Sequence, residues 1–321
     1  MKTITITKGN MPDLNYYLHI DFSIGSEFHP LLPEKCYNRE KHLVIIVGVG
    51  CGASLALPAF YNKVLSVLMK ASTSTEVNVV YIGAASYEGS EPSERQTEGF
   101  KRLGCKIYKL NVSEDESVPE YSKLRQILVD WADVIICSGG NTLYALIRWQ
   151  ELGVNFLLKE AAERGVVLCG GSAGCVCWFS DIHTDCMRPD GVKNPPKSMT
   201  PEEVANWHYE RITGLGFFHA LCVPHYDVAQ SNGKPRAEDS NRLVLDTPEL
   251  PCIGIDEKAA LVVVGDHVSC ISGDGGKSKC YKKYVTDREK EQLTELPIQP
   301  DTELFLDDLL SVPRREHLLA P

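Results

Sequence analysis

Val166-Val167-Leu168-Cys169-Gly170-Gly171-Ser172-Ala173-Gly174 opens with four apolar residues and closes on Gly-x-Ser-x-Gly. A short apolar run bounded by glycine reads as a strand buried on both faces, and the residues through Trp178 continue it as a helix. Small residues on both sides of the serine allow a strained strand-to-helix turn to close with the hydroxyl exposed, which is the requirement of a nucleophile elbow. By composition alone Gly-x-Ser-x-Gly arises in roughly one chain in ten of this length. The strand before the motif and the helix after it therefore carry the weight.

Working outward, the same rhythm of strand, glycine and helix repeats. Leu43 to Val47 leads through Gly48-Val49-Gly50-Cys51-Gly52 into a helix at Leu57 to Met69. Asn78 to Ile82 leads through Gly83 into a polar helix at Ser90 to Leu103, and Lys106 to Leu110 into a helix at Glu120 to Ala132. Val134 to Cys137 leads through Ser138-Gly139-Gly140-Asn141-Thr142 into Leu143 to Leu152, and Asn155 to Arg164 is a helix stopped by Gly165. This pattern predicts an α/β fold built on a doubly wound, mostly parallel sheet.

Beyond Phe179 the strands follow one another with little helix between: Phe218 to Val223, Cys252 to Ile255, Ala260 to Val264 and His267 to Ile271. They read as antiparallel additions to one edge. Between them lies an insertion at 187–214. Its first part, Met187 to Ser198, is rich in proline, and Thr200-Pro201-Glu202-Glu203 carries the cap, first-turn proline and third-position glutamate of a helix running towards Gly214. With both ends tethered near the elbow, the loop is placed to close over a small substrate; a surface decoration or a dimer contact is the alternative. The segments 1–38 and 277–321 have weaker patterns and read as extensions of a single domain whose core spans about 43–271.

Of the 321 residues, 43% are hydrophobic and 24% charged, which excludes disorder, collagen and coiled coil and allows about three quarters of the chain's surface to be buried. The net charge of −10, with no run of lysine or arginine, argues against nucleic acid as a partner. No stretch approaches the ~20 apolar residues of a membrane span, and the alternating Met1-Lys2-Thr3-Ile4-Thr5-Ile6-Thr7 has no signal-peptide core, so no membrane association and a cytoplasmic location are expected. The twelve cysteines fit a reducing compartment, several lying in apolar strand-like runs. No CxxC pair occurs and Cys175-Val176-Cys177 has no matching pair at zinc spacing, so no metal is expected. Gly48-Val49-Gly50-Cys51-Gly52 departs from GxGxxG by one residue, which argues against a nucleotide, and no organic cofactor is expected.

The chemistry-bearing residues gather at strand ends. The Gly140 amide and the Ala173 amide are the candidate oxyanion-hole donors for an attack by Ser172. Of the histidines that follow the elbow, His183, His208, His219 and His225 are the candidate bases. His225, in Pro224-His225-Tyr226-Asp227, ends an apolar strand and is the preferred base; His183 competes, His219 reads as a packing residue and His208 falls on the inserted helix. Ile255-Asp256-Glu257-Lys258 offers the orienting acid, Glu257 first and Asp256 as the alternative. The order Ser, His, acid differs from the Ser, acid, His order of α/β-hydrolases and speaks against an esterase or lipase. Asn141, Arg236 and Arg242 are candidates for binding substrate, the arginines as forks for a carboxylate or as solvated side chains on a helix flank.

Gly139-Gly140-Asn141-Thr142, the Gly170 to Gly174 elbow with Cys177-Trp178-Phe179, Pro224-His225-Tyr226-Asp227 and Asp256-Glu257-Lys258-Ala259-Ala260-Leu261 together resemble the peptidase E family of aspartyl dipeptidases and cyanophycinases. The resemblance spans about 43–271 and implies a fold like that of class I glutamine amidotransferases. It also implies Ser172 as nucleophile, His225 as base, an acid at Glu257, oxyanion amides at Gly140 and Ala173, and a preference for small peptides with N-terminal Asp. An amidase or β-aspartyl or cyanophycin-type peptidase is the neighbouring alternative, and a non-catalytic small-molecule binding protein on the same fold the distant one. The oligomeric state stays open, a homodimer being one outcome.

Overall fold

The computed structural model describes residues 43–71, 76–186, 188, 202, 206–230, 232–300 and 302–313. In chain order the first strands and helices are β1 (Ile45–Val49), α1 (Pro58–Ala71), β2 (Asn78–Ile82), α2 (Ser90–Arg102), β3 (Lys106–Leu110), α3 (Tyr121–Arg125), β4 (Val134–Cys137), α4 (Thr142–Leu152), α5 (Val154–Glu163), β5 (Val167–Gly171) and α6 (Ala173–Val176). These are the elements that the glycine punctuation predicts. The helix expected at Glu120 to Ala132 is α3 continued by a π-helical turn, Gln126–Trp131.

β1, β5, β4, β2 and β3 lie side by side in that order and run parallel. Ile45, Val47 and Val49 point to one face with Val79, Val134, Val167 and Cys169, where they pack with Phe60 and Val64 of α1 and Phe100 of α2. Every residue of β1 and β5 is buried, which is why their sequences show no polar alternation.

The chain then continues through β6 (Phe179–Thr184), β7 (Glu210–Thr213), β8 (Phe218–Pro224), α7 (Arg236–Asp246), β9 (Cys252–Ile255), β10 (Ala259–Val264), β11 (His267–Ser272), β12 (Cys280–Asp287), β13 (Gln292–Ile298), β14 (Glu303–Phe305) and α8 (Leu306–Leu310). β10 and β11 are the antiparallel additions expected on the free edge of β1, and β14 extends them. Phe218 to Val223 and Cys252 to Ile255 behave differently. They form the middle of a second sheet, ordered β13-β12-β9-β8-β6-β7, in which β6, β8 and β9 are parallel. α7 covers this sheet through Leu243 and Val244, packed with Leu221, Val223 and Cys252.

Two further expectations change. The segment 277–321 is no simple extension: β12 pairs with β9 and carries β13 at the edge of the second sheet, and β14 forms the edge of the first, with partly exposed residues too polar to stand out in the sequence. The helix running towards Gly214 gives way to irregular chain at 207–209 and β7, because Glu210 to Thr213 pairs with β6. The 1–38 segment and, apart from Arg188, the Met187 to Ser198 loop lie outside the described residues.

The layout sets up the site. β1, β4 and β5 end level with one another, Val49 opposite Gly171 and Cys137 opposite Gly170, so their three glycine-rich turns meet. The chain crosses from the first sheet to the second through Ser172 and α6, and returns from β9 to β10 through Asp256, Glu257 and Lys258. In the second sheet Pro224 lies opposite Ile255, so His225 and the Asp256-Glu257 pair leave adjacent strands at the same level.

Candidate active site

Ser172 sits on a backbone with φ 55° and ψ −114°. A non-glycine residue at positive φ stores on the order of 1–3 kcal/mol and persists only where its surroundings hold it. Here the Ser172 amide donates to the Val49 carbonyl at 3.0 Å, and the Ser172 carbonyl accepts from the amides of Cys175 at 2.9 Å and Val176 at 3.0 Å. The turn is thus pinned from β1 on one side and by the first turn of α6 on the other.

His225 is held in a similar way. Its φ is 49°, and its amide donates to the Gly50 carbonyl at 3.3 Å. The turn after β1, read as a failed nucleotide motif, thus acts as a frame: Val49 fixes the serine backbone and Gly50 the histidine backbone. Gly50 can be nothing larger, since a Cβ there would lie 2.0 Å from the Asp256 carbonyl oxygen.

Between the side chains, His225 Nε2 is 2.9 Å from Ser172 Oγ, and His225 Nδ1 is 2.7 Å from Glu257 Oε1. The Glu257 amide in turn donates to Asp227 Oδ1 at 2.8 Å. Burial pushes the His225 pKa below the ordinary 6.5, against the opposing bond to Glu257, while the Arg236 charge pushes the same way as burial. The bond to His225 holds the Glu257 carboxyl below its usual range. A neutral imidazole beside an ionised carboxylate is the state a general base needs.

Asp256 is engaged elsewhere. Its Oδ2 accepts the Lys279 amide at 2.8 Å, and burial pushes its pKa up to about 6. His183 is fully buried, its Nε2 3.0 Å from Asp239 Oδ1 and its ring centroid 4.5 Å from that of Tyr209; burial lowers its pKa to about 4. His208 is exposed, and so is His219, which sits on the open face of β8 instead of packing.

The Gly139-Gly140 turn lies against the elbow, so that a Cβ on Gly139 would be 3.4 Å from the Ser172 Cβ. Gly140 has φ 138°, and a Cβ there would fall 2.0 Å from the Ala85 carbonyl oxygen; only glycine fits. Among the described residues the Gly140 and Ala173 amides donate to no protein acceptor, whereas the next amide, that of Asn141, donates to Ala85 O at 2.7 Å. Asn141 itself is buried: Oδ1 accepts from the Tyr144 amide at 3.1 Å, capping α4, and Nδ2 donates to the Tyr87 hydroxyl at 3.1 Å. Its side chain braces the turn.

Of the two arginines, Arg242 is exposed on α7. Arg236 is no solvated flank residue, being 1% exposed. One guanidinium nitrogen lies 2.9 Å from Asp185 Oδ2, another donates to the His183 carbonyl at 3.4 Å, and the group stacks 4.8 Å from the Tyr209 ring centroid. Asp185 and Asp227 escaped sequence reasoning. Asp227 carried a usable signal, standing two residues after His225 in a strand-end turn; Asp185 carried none, because its partner is 51 positions away.

A serine on a strained elbow, bonded to a histidine that is bonded to a carboxylate, defines a serine-hydrolase type of site on an α/β sheet. The chain belongs to peptidase family S51, whose family model matches residues 52–271. It is 25% identical over 231 residues to the uncharacterized peptidase YgaJ of Bacillus subtilis, covering 72% of this chain and 87% of that one. It is 28% identical over 181 residues to peptidase E of Shewanella amazonensis, covering 56% of this chain and 66% of that one. In fold it is similar to a peptidase from an acI-B1 actinobacterium, with a TM-score of 0.54 and 19% identity over 83% of this chain and 98% of that chain. Among the described residues no helix is long and apolar enough to cross a membrane.

Proposed function

We propose that this serine peptidase cleaves small peptides, dipeptides with N-terminal Asp foremost, through Ser172, His225 and Glu257. The observation that carries the reading is the unbroken chain of bonds from Ser172 Oγ through His225 to Glu257 at 2.9 and 2.7 Å. His225 Nε2 takes the Ser172 proton as Oγ attacks the scissile carbonyl, and the Gly140 and Ala173 amides receive the developing oxyanion. His225 then passes the proton to the leaving amine. A water, deprotonated by the same nitrogen, hydrolyses the acyl-enzyme. Glu257 holds the ring and stabilises the imidazolium, with Asp227 positioning Glu257.

A dipeptide-library hydrolysis screen on the purified full chain tests the substrate. Preferential release from Asp-X peptides supports it; preference for β-aspartyl or other acidic amides moves the enzyme to the neighbouring class. Hydrolysis of nothing, with Ser172 inert to a serine-directed phosphonyl reagent, favours a binding protein.

The pH profile follows from the partly buried base. Only neutral His225 accepts a proton, and its pKa lies below the ordinary 6.5, so kcat/KM falls as the pH drops through a midpoint below 6.5. Glu257→Gln removes the group that raises that pKa; the midpoint shifts further to acid while kcat falls by ~10²-fold or more. Asp256→Asn leaves both kcat and the midpoint close to those of the parent. A midpoint above 6.5, or exchanged behaviour of the two variants, defeats this assignment.

A further inference from the structure

Cys51 is the residue of the β1 turn to which the reaction gives no task. Its Sγ, a ring nitrogen of His225 and a carboxylate oxygen of Glu257 all lie within 4.8 Å of one another, and all three residues are only partly buried. Thiolate, imidazole and carboxylate are the donors of zinc sites that keep a fourth position open. With metal–ligand bonds of about 2.0–2.3 Å, tetrahedral donors stand roughly 3.3–3.8 Å apart, so closing this set takes movements on the order of 1 Å. The backbone frame already holds the parts in register: Gly50, next to Cys51, accepts the His225 amide at 3.3 Å.

We propose that Cys51, His225 and Glu257 form an inhibitory site for Zn²⁺, a regulation that rests on the reading of His225 and Glu257 as base and orienting acid. The ion sheds water, the Cys51 thiol and the bound imidazole nitrogen release their protons to solvent where they carry one, and no electron is transferred. Either ring nitrogen serves the same end. At Nδ1 the ion replaces the proton shared with Glu257, and at Nε2 it occupies the lone pair that accepts the Ser172 proton. The enzyme is stopped with its fold intact. The thiol sets the selectivity: hard Mg²⁺ and Ca²⁺ prefer all-oxygen shells and lack this fit.

The test uses the full chain treated with chelator and then dialysed. Co²⁺, as a spectroscopic stand-in, should bind once per chain with a near-ultraviolet thiolate-to-cobalt charge-transfer band that Cys51→Ser and Cys51→Ala both abolish. Zn²⁺ should inhibit the parent at a concentration about tenfold or more below that needed for either variant, each normalised to its own metal-free rate. Chelator should reverse the inhibition and Mg²⁺ should not cause it. A cobalt band that survives in both variants, the absence of any band, or equal zinc sensitivity would overturn the site. The spectra need no substrate. A chain that binds cobalt through Cys51 yet hydrolyses nothing retains the metal site and loses the peptidase reading, while an active enzyme without the band loses only the metal site.

Discussion

Ser172→Ala folds like the parent and hydrolyses peptide at a rate lower by several powers of ten. The two halves of this expectation have separate causes. On the proposed mechanism Oγ is the atom that forms the acyl bond, and removing a triad nucleophile costs about 10⁶ in kcat in a well-studied serine protease. The fold is indifferent because the hydroxyl caps nothing: the elbow is pinned by backbone bonds to Val49, Cys175 and Val176, and the bond lost is the one to His225. Alanine also meets the same demand at φ 55° as serine does. Initial-rate kinetics and thermal unfolding on the same preparations read both halves. Residual activity above roughly one per cent would remove Ser172 from the role of nucleophile.

The second large effect separates the partly buried His225 from the fully buried His183. His225→Ala should lower kcat by several powers of ten, since it deletes the base while leaving Ser172 and Glu257 at a partly solvated surface. His183→Ala should do the opposite, leaving kcat near the parent value and lowering stability. Its ring is fully buried against Tyr209 and bonds Asp239 beside the Arg236–Asp185 ion pair. Deleting it opens a cavity and strips a half-buried carboxylate of its partner, a combination typically worth 2–5 kcal/mol. Paired measurements of kcat and melting temperature decide the matter: a His183 variant that melts normally but does not turn over would transfer the base to His183.

The legibility of the site varied with the range of the interaction that builds it. The elbow could be read because its requirements are local: a buried strand, then small residues where the backbone must turn sharply at positive φ. Gly140 was legible for the same reason. The histidine was harder. Four candidates were weighed after the elbow, and the order of motifs along the chain singled out His225, whereas the grounds for demoting the others did not all hold. His219 reads as a packing residue on an apolar strand, yet β8 presents its side chain to solvent. Arg236 was misread in the other direction, because burial of a guanidinium depends on Asp185 and Tyr209, which neither spacing nor composition brings near it.

By itself the sequence determined the α/β rhythm, the mostly parallel run of strands from Leu43 to Gly174 and the place of the serine at a sharp turn, since each follows from hydrophobic period, glycine placement and steric demand within a few residues. Only the tertiary structure decided that the later strands split between two sheets, that β12 to β14 close their edges, and that Glu257, not Asp256, meets the histidine. Those outcomes turn on which strand edges find partners and at what level two strands end. A one-residue difference at the end of β9 sends Asp256 to the Lys279 amide and Glu257 to His225. Neighbouring carboxylates look alike in a sequence; the packing of two sheets gives them opposite directions.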